Sequence, residues 1–193
     1  MPRPKSFDPD AVLAKAMVVF WEKGYDAASI SDLTEAMGIN RFSLYDTFGD
    51  KHQLYLKALD TYTQRVVEPM VEKINQIQSL DDIQEYFETL IGYQHSCDCS
   101  PCCMMHKAAI SMRAVDDAAK ERVEHARTRL HSAFFDALER ISRTGELCRD
   151  IDLHDGAWIL KIMLGGFASH ASAPIPQDEA KSAIRALLAR FRA

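Results

Sequence analysis

Long hydrophobic runs are missing from this sequence. No window reaches the ~18–20 uninterrupted apolar residues that a membrane span needs, so no membrane partner is expected. The opening MPRPKSFDPD has no apolar core behind its basic residues, so it does not read as a signal peptide, and the cytoplasm is the expected location. Strand-like alternation is absent. So are a Gly-rich phosphate loop, an H-E-x-x-H pair and a nucleophile elbow. The carboxylate pairs Asp116-Asp117 and Asp150-x-Asp152 fall at expected helix ends, where capping explains them, and no enzyme is expected. Positive charge is also scarce. The net charge is −5, and residues 1–60 carry seven Lys and Arg against nine Asp and Glu. A nucleic-acid ligand is therefore compatible with this chain only if its few cations share one face.

What is present is a helical pattern over nearly the whole chain. With 193 residues and 47% hydrophobic residues, the chain can form a small domain followed by a medium one, each with a core. Asp8 and Pro9 start the first helix, whose apolar face is Val12, Leu13, Ala16, Met17 and Phe20 and whose end is Gly24. Ser29, with Asp32 three residues on, caps a second helix carrying Ile30, Leu33, Ala36 and Met37. Gly38 breaks it. Asn40 caps a third, with Leu44 and Phe48 turned inward. A long stretch from Lys51 to about Gln76 is expected to bend at Pro69. Further helices are expected over about 79–95, 102–115, 118–144, 154–172 and 177–192.

Residues 29–48, SISDLTEAMGINRFSLYDTF, are two short helices joined across a Gly turn, which is the helix-turn-helix spacing. A major groove admits one helix, so such a pair must be compact, and the helix of residues 9–23 closes its core. By spacing alone, a generic helical bundle remains an equal reading. The run FWEKGYDAASISDLTEAMGINRFSLYDTFGDKHQLYLKAL, however, resembles the N-terminal domain of TetR-family regulators. The resemblance rests on Phe20, Gly24, Tyr25, Ser29, Ile30, Ala36, Gly38, Leu44, Tyr45, Phe48, Lys51 and Leu54. Within that family, the opening segment and the later cysteines are most similar to a subgroup that includes copper- and thiol-responsive repressors.

The resemblance implies an all-α fold. Residues 1–54 would form the helix-turn-helix DNA-binding domain, and residues 55–193 a helical effector-sensing and dimerisation domain. It implies a repressor that binds palindromic double-stranded DNA as a homodimer and is released by an effector. Arg41, Phe42, Ser43 and Tyr45 would stand on the exposed face of the recognition helix. Arg41 can donate two bonds to guanine or bond a phosphate, and Phe42 can meet a thymine methyl. Tyr45 and Lys51 would reach phosphates, Lys51 aided by the positive end of its helix. Ser29 and Asn40 are caps first and phosphate donors second. Arg3 and Lys5, in the Pro-rich arm, can follow the backbone or enter a minor groove. Two departures stand out. Thr47 occupies a position where the family very often has His, and Asp46 adds a negative charge beside the contact face.

Residues 95–106, HSCDCSPCCMMH, hold four thiols, two imidazoles and two thioethers. Soft sulfur ligands suit Cu(I) or Zn(II), with His95, Cys97, Cys99, Cys102, Cys103 and His106 as the candidate ligand set. No cofactor is required; the metal would be an effector. Equally, Cys97, Cys99, Cys102 and Cys103 can sense an oxidant, because vicinal and C-x-x-C thiols form disulfides readily. In a third reading the loop is incidental and an organic effector binds among the helices, near Phe87, Tyr93, His106, His131, Phe134, Trp158 or Met163. A cysteine-rich metal-binding protein with no regulatory role is the rival class. The apolar residues Ile159, Met163, Phe167, Ile184, Leu188 and Phe191 exceed what two short helices are expected to cover, and Gly165-Gly166 allows close helix approach. The resemblance implies a two-fold four-helix bundle there.

Overall fold

The computed structural model describes residues 7–96, 103–111, 117–169 and 175–193. The protein is all-α. The helices are α1 (Pro9–Ala27), α2 (Ile30–Met37), α3 (Arg41–Phe48), α4 (Lys51–Tyr62), α5 (Glu68–Asn75), α6 (Leu80–Ser96), α7 (Met104–Ser111), α8 (Asp117–Ser142), α9 (Leu153–Ser169) and α10 (Gln177–Leu188). A π-helical turn, Thr63–Val67, separates α4 from α5. It sits just ahead of Pro69, whose ring would collide with the carbonyl four residues back; the widened turn relieves that collision. Among the described residues no helix is long and apolar enough to cross a membrane. The chain divides into two compact units, Met1–Val66 with Met104–Glu124 and Val67–Cys103 with His125–Ala193. The first unit takes in all of α4 and also α7.

In the first unit, α1 turns Val12, Ala16, Met17 and Phe20 inward; Leu33 and Met37 of α2 and Leu44 and Phe48 of α3 complete the core. The α4 helix adds Leu54, Tyr55, Ala58, Leu59 and Tyr62. Phe20 meets the Tyr55 ring edge-on at 5.0 Å, and Trp21 meets Tyr62 at 5.2 Å. Each fully buried side chain of this size stabilises by about 1.5–3 kcal/mol over its exposed state. Ala36, one of the apolar residues of α2, is exposed, because eight residues of α2 give only one inward row, Leu33 and Met37. The α7 helix belongs to this unit through Met104, Met105 and Ala108, all buried.

The second unit is built around stacked aromatics. Phe87 and Phe134 lie parallel at 6.0 Å, with Phe167 tilted against Phe87 at 6.2 Å. Gly156 is a close approach: a Cβ there would come within 3.0 Å of Leu138 Cδ1. Helix ends are closed by charged side chains from far along the chain. Arg140 donates to the carbonyls of Ile74 and Ile77 at 3.3 and 3.2 Å, and Glu146 accepts from the Leu80 amide. Arg192 in turn pairs with Glu146 and Asp81.

The last helix stops at Leu188, short of the expected 192, because the chain turns to pair with residues 146–148. Cys148 donates its N–H to Phe191 O at 2.8 Å, and Ala193 donates to Glu146 O at 2.9 Å. That turn corrects one expectation. Phe167, Ile184, Leu188 and Phe191, assigned by pattern to a surplus apolar face, are buried within their own chain. The exposed apolar residues of α9 are Ile159 and, unanticipated, Ile162 at 64% exposure.

Candidate nucleic-acid interface

The geometry of α2 and α3 is set by their caps. The Ser29 hydroxyl accepts from the Asp32 amide at 3.1 Å, and Asp32 Oδ2 accepts from the Ser29 amide at 2.9 Å, a complete capping box. Gly38, at φ 68°, closes α2 in the left-handed region that favours Gly. Asn40 Oδ1 then accepts from the Ser43 amide at 2.8 Å and starts α3. Asp50 does the same for α4, accepting from Gln53 at 2.8 Å. Each such cap contributes about 0.5–2 kcal/mol and fixes where its helix begins.

Because Leu44 and Phe48 face the core, the other side of α3 faces out. Phe42 is 79% exposed, and Arg41, Tyr45 and Asp46 are exposed beside it. The Arg41 guanidinium carbon lies 5.5 Å from the Tyr45 ring centre, with its nitrogen 3.5 Å from the Tyr45 hydroxyl. Tyr45 thus holds Arg41 near one orientation, which lowers the side-chain entropy its guanidinium has left to lose. Lys51 lies in the first turn of α4, its Nζ 4.6 Å from the Tyr25 ring centre. Tyr25, matched above only as a motif position, therefore steers Lys51. Ser43 is half-buried and Ser29 and Asn40 are occupied as caps. Thr47 Oγ1 is buried with no partner among the described residues, so it is not displayed with the other polar groups.

Asp32 also receives Lys23, Nζ to Oδ1 at 2.7 Å. The Lys23 ammonium first, then the Ser29 amide and hydroxyl, hold the Asp32 carboxyl well below the usual carboxylate range. A lowered folded value means the carboxylate stabilises fully above its unfolded value, near pH 4, and loses that contribution as pH falls toward the folded value. Thermal unfolding of the wild type against Asp32→Asn should show a gap that is constant from pH 7 to 5 and narrows steadily below about pH 4. A gap that widens on acidification would refute the assignment.

The sensing candidates are distributed unevenly. Cys97, Cys99 and Cys102 lie outside the described residues, as do Arg3, Lys5 and the His95 side chain. Cys103 is half-buried immediately before α7, and His106 is exposed on that helix. Of the organic-effector candidates, Phe87 and Phe134 are fully buried packing residues. His131 lies 4.8 Å from His154 and 4.4 Å from Trp158 between ring centres. Met163 is half-buried and Tyr93 exposed. Asp152, His154 and Asp155 bring their ligand atoms within 4.8 Å of one another. Asp152 is there as a cap, accepting from the amides of His154 and Asp155 at 2.9 Å.

The segment that carries α3 and its capped neighbours matches known proteins. The family model described as bacterial regulatory proteins, tetR family, matches residues 12–58. YezE of Bacillus subtilis (strain 168), an uncharacterized HTH-type transcriptional regulator, is 32% identical over 148 residues, which is 76% of this chain and 76% of YezE. The chain belongs to the TetR family. This TetR-family regulator is also similar to the HTH-type transcriptional repressor ComR of Escherichia coli (strain K12), 49% identical over 63 residues, 33% of this chain and 30% of ComR. Among solved structures it superposes on CifR, a TetR-family transcriptional regulator complexed as a cysteine mutant with a 26 bp operator duplex. The TM-score is 0.81 and the identity 26%, over 97% of this chain and 98% of that one. As a TetR-family regulator it is a DNA-binding transcriptional regulator of the repressor type.

Proposed function

We propose that this regulator is a cytoplasmic repressor that binds a palindromic duplex as a homodimer and lets go when its cysteine segment is modified. The observation that carries the DNA reading is the outward face of α3. Arg41, Phe42 and Tyr45 project from one side while Leu44 and Phe48 anchor the other. Arg41 and Phe42 read base edges, whereas Tyr45 and Lys51 fix phosphates, with Ser43, Ser29, Asn40 and the Arg3–Lys5 arm adding backbone contacts. Arg41 and Lys51 supply positive charge against the −2 balance of residues 1–60, which would otherwise repel DNA.

The homodimer reading is supported by Ile159 and Ile162, which leave an apolar strip exposed on α9, 41% and 64% exposed respectively. Beside it, a Cβ at Gly165 would meet nothing within 4 Å. A second copy laid on that strip would supply the second α3 that a palindrome needs.

The effector reading takes Cys97, Cys99, Cys102 and Cys103 as the sensor, responding to a thiol oxidant or to soft Cu(I) or Zn(II) with His95 and His106. Two considerations support it. Cys103 runs directly into α7, which belongs to the DNA-side unit. CifR, the 26%-identical relative, was likewise studied on operator DNA as a cysteine mutant.

The test is a fluorescence-anisotropy titration on duplex from upstream of the protein's own gene, with footprinting. We expect two chains per palindrome, and release by diamide, Cu(I) or Zn(II) that is abolished in Cys97→Ser/Cys99→Ser. No footprint would sink the DNA reading. Release that persists unchanged in the double variant would sink the cysteine reading alone and favour an organic effector.

A further inference from the structure

One helix break in the first unit is met by a residue that neither the motif nor the outward face of α3 includes. Gly24 sits at φ 79°, ψ 171°, inside α1, where it interrupts the helical ladder. The carbonyls of Trp21 and Glu22 would normally accept from the amides four residues on, those of Tyr25 and Asp26. Both amides lie beyond the break. Carbonyls beside a helix break favour a cation as donor, because the helix dipole is negative there. The last turn of α1 carries no basic residue of its own. The donor comes instead from α7. Lys107 Nζ lies 2.8 Å from Trp21 O and 3.0 Å from Glu22 O, across a sequence separation of 86 and 85 residues.

We propose that Lys107 is the positioning residue through which α7 holds the helix-turn-helix in its DNA-competent form. The α7 helix is seated by Met104 and Met105, both buried, so the ammonium is delivered from a fixed base. What it grips is the hinge side of the motif. Three residues separate Gly24 from Ala28, whose amide returns to Gly24 O at 3.3 Å, and Ser29 then opens the capping box of α2. Any shift of α7 along its axis withdraws the ammonium from both carbonyls together and frees the α1–α2 corner. The inference rests on the reading that α2 and α3 contact DNA, but its core claim, that Lys107 fixes the α1–α2 corner, does not need it.

Hydrogen exchange by mass spectrometry on the full chain separates the two. Lys107→Met keeps the aliphatic stem and removes the donor; Lys107→Arg keeps a donor. Without DNA, Lys107→Met should exchange residues 22–30 about 10-fold faster than wild type, with α9 and α10 unchanged and Lys107→Arg close to wild type. With the footprinted duplex, wild type and Lys107→Arg should gain protection in both α3 and α7. Lys107→Met should gain it in α3 only, because coupling between sites is reciprocal. Unchanged exchange at residues 22–30 in Lys107→Met overturns the proposal, as does faster exchange spread evenly over the chain. Failure of wild type to gain protection in α3 would overturn the DNA reading while the DNA-free result still decides the role of Lys107.

Discussion

Arg41→Ala is expected to cost the protein most of its sequence-specific DNA affinity. A bidentate guanidinium–guanine contact discriminates by about 1–3 kcal/mol. In a two-fold complex the loss is felt in both half-sites, so the total is about 2–6 kcal/mol, which is about 30-fold to about 10⁴-fold in Kd. The size of this loss follows from pre-organisation. Arg41 already rests 5.5 Å over the Tyr45 ring, so the wild type gives up little side-chain freedom on binding. Arg41→Lys should recover only part of the affinity, since an ammonium neither stacks nor forks. Anisotropy titrations against the specific duplex and a scrambled one measure the effect. If Arg41→Ala weakens both duplexes equally and flattens the salt dependence, Arg41 is a phosphate contact and the base-reading role falls to Phe42.

The parts of this structure that were legible in the sequence are those fixed by short-range chemistry. Ser29 with Asp32, Asn40 three residues before Ser43, and Gly38 after Met37 each announce a helix end by residue type, and each cap forms as read. The recognition face was legible for a related reason. Leu44 and Phe48, four apart, can point only one way, so the opposite side of the helix must point out.

What depended on distant partners was not legible. Ile184, Leu188 and Phe191 looked surplus because nothing in their own helix reveals that residues 189–193 turn to pair with 146–148. Lys107 carries no local signal; its meaning depends on the break at Gly24, more than eighty residues earlier. Thr47 was noted only as a missing His, and its hydroxyl proves to be buried. Membership of α7 in the DNA-side unit has no local signature at all, because helical periodicity states which side is buried but not against what.

Phe87→Ala is the second large expected effect, and it discriminates between two uses of the same helices. One reading of the sequence places an organic effector among the helices, and Phe87 was a candidate to line such a site. In the structure Phe87 is fully buried, parallel to Phe134 at 6.0 Å and edged by Tyr86 at 5.5 Å and Phe167 at 6.2 Å. A ring packed on so many sides cannot be truncated without leaving a void, because its neighbours relax only partly. The expected cost is about 3–5 kcal/mol. For a chain of this size that lowers the melting temperature by roughly 6–20 °C, as followed by circular dichroism at 222 nm. Below the new transition, the affinity for the specific duplex should stay within about 3-fold of wild type, a difference of under 1 kcal/mol, since α3 and its caps lie in the other unit. A loss of less than about 1 kcal/mol, the cost of a site that can close over the missing ring, would instead mean that Phe87 borders adaptable space, and the aromatic stack would then be the place to look for a bound effector.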